Sequence, residues 1–157
     1  MIFRIIAFAT VAAAASALGF MWLDTQPPTV VLKMEILNEP VRPGGELKIK
    51  YTVYRLRSCE TSIDRLLFDH EKQRVILEDL TFNGAPGPLG ESNYVAQVPI
   101  PRSFATGPAT YRVVSRYVCN PLQRIWPIVT INPDVNFEVA GEPLPNTIAP
   151  IETLPRR

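Results

Sequence analysis

ATYRVVSRYVCN, residues Ala109 to Asn120, decides how the chain is read. Tyr111, Val113, Ser115, Tyr117 and Cys119 share one parity, while Arg112 and Arg116 stand on the other. Successive side chains of an extended chain point to opposite faces, so a period of two predicts a β-strand with one face against a core. The stretch ends on Cys119, one of two cysteines in the chain. That residue is either a structural partner for Cys59 or a reactive thiol.

Outward from this strand the same pattern recurs. In ELKIKYTVYRLR (46–57), Leu47, Ile49, Tyr51 and Val53 alternate with Lys48, Lys50, Thr52 and Tyr54, the clearest strand signal in the sequence. TVVLKMEIL (29–37) sets Val30, Leu32, Met34 and Ile36 against Lys33 and Glu35, which predicts a half-buried strand with the even positions inward. IDRLLFD and RVILEDLTF flank HEKQ as a hairpin. A helix over Ile63–Leu80 is the rival reading, and Val75, Ile76 and Phe82 favour strands. YVAQVPIP reads as a short edge strand because proline donates no ladder hydrogen bond, and IVTINPDVNFEVAG as one or two strands. NEPVRPGGE, NGAPGPLGESN and NPLQRIWP are turn-rich connections. Sixteen prolines in 157 residues, about twice the usual ~5%, disfavour long helices. The result is an all-β domain over residues 29–141, a sandwich or small barrel.

The front end is different. After Arg4 no charge occurs until Asp24. The uncharged run Ile5–Leu23, as a helix, spans ~28 Å, close to the hydrocarbon thickness of a bilayer. Residues 1–23 therefore read as a signal anchor. Arg4 stays cytoplasmic, Trp22 sits at the interface, and the domain lies in the periplasm or extracellular space. ASA at Ala15–Ala17 also fits a signal-peptide cleavage pattern, which leaves a cleaved, secreted form as the alternative. Residues 24–28, with Pro27 and Pro28, read as a stiff spacer, and residues 142–157, with four prolines, as an extended tail. From Asp24 onward 15 basic residues face 15 acidic ones. Such a balance is unsuited to nucleic acid, which calls for an excess of cations.

The domain resembles the immunoglobulin-like superfamily in the broad sense that includes fibronectin type III. VRPGGELKIKYTVYR (41–55) looks like an A–B turn feeding strand B, and GPATYRV (107–113) looks like a tyrosine corner before strand F, with Tyr111 in the tyrosine position. The resemblance covers Thr29–Gly141 at fold level. It departs from antibody domains in lacking a strand C tryptophan and in having Val113 where they have cysteine. It implies an immunoglobulin-like antiparallel sandwich of about seven strands. It also implies that the loops holding Cys59 and Cys119 emerge at one end, so that in an oxidising compartment the two form a disulfide. A fold of this kind transfers no activity.

Chemistry-bearing motifs are sparse. There is no C-x-x-C, G-x-S-x-G or H-E-x-x-H. His70 is the single histidine, in a turn, and GAPGPLG is unsuited to cradling phosphate because its prolines lack N–H donors. Asp64, Asp69 and Glu71 do not follow a calcium-loop spacing. The reading is therefore a non-enzyme with no cofactor, metal or catalytic residue. The candidate contact surface is the disulfide tip, where Arg55, Arg57, Arg124, Ile125 and Trp126 gather with Asn120, Leu122 and Gln123. Arginine and tryptophan are enriched at protein-binding hot spots. The bland alternative is that Ile125 and Trp126 plug the sandwich end and the arginines are solvated. The expected function is protein binding by a membrane-anchored envelope domain, with a passive structural subunit of an envelope or virion assembly as the alternative.

Overall fold

The computed structural model describes residues 2–142, so the tail of residues 142–157 lies outside the described residues apart from Glu142. A helix, α1 (Ile2–Leu23), opens the chain. Its span Phe3–Leu23 has a mean hydropathy of 1.9 and none of it is buried against the domain. By length and composition it is able to cross a membrane, and a signal sequence passes the same test. The hydroxyls of Thr10 and Ser16 donate to the carbonyls of Ala7 and Ala12, 2.9 Å in each case, so both are satisfied within the helix.

Two antiparallel sheets follow. Strands β1 (Thr29–Ile36), β2 (Glu46–Arg55) and β6 (Gly90–Pro99) form one, in the order β1-β2-β6. The other is built on β3 (Glu60–Phe68) and β7 (Gly107–Val118), which pair along nine positions. On its outer side β3 pairs with β4 (Arg74–Ile76) and β5 (Leu80–Phe82). On its outer side β7 pairs with β8 (Ile128–Ile131) and β9 (Val135–Val139). There are thus nine strands among the described residues, where about seven were expected. The difference is two interruptions. The register shifts by one residue between Leu66↔Ile76 and Ile63↔Leu80, and again between Val114↔Ile131 and Tyr111↔Val135. An extra residue breaks a ladder and bends the strand. The rival helix over Ile63–Leu80 is not formed, and β6 lies at a sheet edge but is longer than YVAQVPIP predicts.

The inward parities of the strands make the core, and they grade along its length. Leu47, Ile49, Leu67, Val98 and Val139 are each at most 1% exposed, packed with Val41, Phe104 and Phe137 at one end. Toward the other end polar and aromatic residues join the inward set: Tyr51 and Arg55 beside Val53 on β2, Thr61 and Arg65 beside Ile63 on β3, and Tyr111, Ser115 and Tyr117 beside Val113 on β7. Strand β1 departs from its predicted facing. A bulge between Val31 and Lys33 pushes Leu32 out of register, so Val31 faces in before it and Met34 and Ile36 after it. Val30 and Leu32 are consequently exposed, because a slip of one residue exchanges the two faces of a strand.

Candidate functional site

Cys59 and Cys119 form a disulfide, with Cα atoms 4.6 Å apart. They sit one step beyond the Glu60↔Val118 pair and so continue the β3–β7 ladder within one sheet. Asn120 then caps a short 3₁₀ turn, Pro121–Arg124. Its side-chain oxygen accepts from the amides of Leu122 (3.1 Å) and Gln123 (3.2 Å), and a proline opens the turn where no donor is needed. The turn drives Gln123 inward, to 4% exposure.

Gln123 is the joint between the disulfide end and the helix. Its Oε1 accepts from the Cys119 amide at 2.7 Å, and its Nε2 donates to the carbonyl of Asp24 at 2.7 Å. Asn120 Nδ2 donates to the Met21 carbonyl at 3.2 Å. Arg57 grips the Asp24 carboxylate with both terminal nitrogens, at 2.8 and 2.7 Å, and also donates to the Gln26 carbonyl at 2.7 Å. This fork holds the Asp24 carboxyl below the usual carboxylate range and raises Arg57 in turn. Trp22 and Trp126 meet edge to face, with ring centroids 5.6 Å apart. Pro28 is fully buried and its carbonyl accepts from the Leu56 amide at 2.8 Å. The stretch 24–28 is therefore fastened to the sandwich, not a free spacer.

The tip residues divide accordingly. Arg57 is engaged with Asp24, and Trp126 with Trp22. Arg124, Ile125 and Trp126 are exposed, with Ile125 68% and Trp126 61% accessible. Arg55 is a correction. It continues the inward parity of Leu47–Val53 and is only 4% exposed, so it is not on the tip surface. Tyr111 lies within β7 between Leu67 and Val135 and is 3% exposed. Burial pushes its pKa up to about 12. Its ring belongs to the core and also lines the space between the sheets.

Between the sheets, in the polar half, lies a partly open cavity of about 340 Å³. Arg55 and Arg65 line it together with Tyr51, Tyr94, Tyr111 and Tyr117. Tyr51 and Tyr94 stack with centroids 5.2 Å apart, and the Arg55 guanidinium lies 5.8 Å from the Tyr94 ring centre. The sequence carried a signal for this cavity that the strand reading passed over: a charged residue continuing a buried parity on β2 and another on β3. Elsewhere, two of the three acidic residues weighed for calcium are otherwise occupied. Asp64 pairs with Arg116, and Asp69 accepts from the amides of Gln73 and Ala105. Among the described residues no three His, Cys, Asp or Glu side chains are grouped to hold a metal.

No protein-family model matches the sequence, and no curated protein matches it. Solved structures do. The C-terminal domain of wzt aligns with a TM-score of 0.51 at 9% identity, over 75% of this chain and 77% of that one. Spo0M, a sporulation control protein from Bacillus subtilis, aligns at 12% identity over 74% of this chain and 51% of that one, with a TM-score of 0.42. The first likeness shows a β-sandwich fold and nothing of activity.

Proposed function

We propose that the chain is a single-pass membrane-anchored, extracytoplasmic immunoglobulin-like domain that binds another protein of the envelope. The observation that carries this reading is the junction. The end of an apolar helix is clamped to the disulfide end of a sandwich through Asp24, Arg57, Gln123 and the Trp22–Trp126 contact. An anchor joined this way seats the domain tip-down on the bilayer at a fixed orientation. The apolar run continues past Ala15–Ala17 to Leu23, and its end is fastened to the domain through Met21, Trp22 and Asp24, which supports a retained anchor over a cleaved signal. The strand order β1-β2-β6 facing β4/β5-β3-β7-β8/β9 supports the immunoglobulin-like reading, with the two split strands each filling one position.

The binding surface is the side of the tip that the helix leaves open. Ile125, Trp126, Val129 and Ile131 are all more than half exposed, and the last two stand on the edge strand β8. Exposed apolar residues on an unpaired edge mark a place for a partner chain. Photo-crosslinking side chains placed at Ile125 and Val129 in native membranes, with Lys48 at the far end as control, test this. One discrete adduct from both tip positions and none from Lys48 is expected. Adducts that do not differ between tip and control, or none at all, overturn the assignment.

A further inference from the structure

The inter-sheet cavity holds a charge problem that the described residues leave open. Arg55 is more than nine-tenths buried, yet its Nε has no hydrogen-bond partner. Its contacts among the described residues are with neutral groups. Nη1 donates to Ser92 Oγ, the guanidinium lies over Tyr94, and Gly87 packs so close that a Cβ there would come within 3.2 Å of Nη1. Arg65, on the facing sheet, spends its Nε and Nη2 on the Glu78 carbonyl. The cavity lining contains both arginines and no aspartate or glutamate. The described ion pairs lie elsewhere, at Lys33–Glu35, Arg57–Asp24, Arg112–Asp134 and Arg116–Asp64. A guanidinium taken out of water without an anion is costly, and a chain that keeps one in an apolar wall gains from an anion arriving there.

The rest of the lining states what that anion must look like. Val31, Val53, Ile63, Leu80, Phe82 and Ala96 supply apolar wall, so only one end of the occupant meets charge. At the packing density of protein interiors, a cavity of about 340 Å³ has room for roughly 250 Å³ of atoms, which suits a chain of about ten carbons. The guanidinium fork matches a carboxylate in two parallel hydrogen bonds. Of the lining residues, Leu80 on β5 and Tyr94 on β6 are partly exposed to solvent.

We propose that this cavity is a binding site for a small amphipathic carboxylate, with the headgroup on Arg55 and the apolar portion between the sheets. The site is separate from the tip surface and does not depend on the partner assigned to it.

The test uses the full chain in nanodiscs of zwitterionic lipid, with empty nanodiscs as the blank for partitioning. Decanoate, decanol and decyltrimethylammonium are titrated by calorimetry. Saturable one-to-one binding of decanoate, at least tenfold tighter than decanol and with no binding of the cation, is the expected result. Arg55→Met keeps the length of the side chain and removes the charge, so it abolishes the preference for decanoate over decanol. Arg116→Met, on the outer face, leaves the preference intact. Ala96→Phe fills the cavity while keeping both arginines and reduces decanoate binding at least tenfold, which decides the matter should Arg55→Met fail to fold. Equal binding of decanoate and decanol, or decanoate binding unchanged in Ala96→Phe, overturns the proposal.

Discussion

Replacing Cys59 and Cys119 together by alanine tests how the tip is held. The bond closes a loop over a sequence separation of 60. In the chain-entropy description, opening a loop of that length frees the denatured ensemble by about 14 cal/mol/K, or about 4 kcal/mol at 25 °C. The native state loses little in compensation, because the β3–β7 ladder next to the bond is paired along nine positions and stays formed without it. With a urea slope of about 1.5–2 kcal/mol per M, as for a domain of this size, the midpoint falls by about 2–3 M. The assay is urea unfolding of the full chain in micelles, followed by near-ultraviolet circular dichroism, for the oxidised protein, the reduced protein and the double variant. The reduced protein and the double variant should lose the same amount to within about 1 kcal/mol, which separates the cross-link from the small change in packing at Cys59. A loss below about 1 kcal/mol in both refutes the reasoning, since it requires the β3–β7 pairing to persist in the denatured chain.

Three further outcomes follow from the geometry. Gln123→Ala removes both buried hydrogen bonds of the joint and should cost about 1–3 kcal/mol in the same unfolding assay, with loss of the Trp22–Trp126 exciton signal. Val31→Ser should be clearly destabilising while Leu32→Ser stays within about 0.5 kcal/mol, the reverse of what unbroken alternation predicts, because the bulge sends Leu32 outward. The Asp24 carboxyl is held below its unfolded value, so its contribution is complete above the ordinary carboxylate range and is lost as pH falls through the lowered value. For a partly exposed pair this is at most about 1 kcal/mol. Tryptophan fluorescence should therefore be flat from neutral pH down to about 4 and change only below it, and Asp24→Asn should abolish that acid step.

The strands were legible because each carries its own period. Leu47–Val53 and Tyr111–Tyr117 are unambiguous, and both face inward as their alternation requires. What escaped was anything set by one extra residue. The bulge at Leu32 and the breaks within the β4/β5 and β8/β9 stretches change register without changing composition, so local pattern does not reveal them. The tip was half legible. Cys59, Cys119 and Arg57 come together there, but the carboxylate that holds Arg57 lies 33 positions upstream, at the end of a segment read as a spacer. Arg55 was placed on the surface by its charge, although its parity already put it among buried residues.

The most direct measurement is thiol labelling in sealed right-side-out membrane vesicles with a maleimide-polymer that does not cross the bilayer. The account predicts a full-length chain in the membrane fraction, no added polymer before reduction, and two added after an impermeant reductant and an external denaturant, with the vesicles still closed. Free sulfhydryls that react only once the vesicles are broken open, or a shortened chain found in the soluble fraction, contradict it.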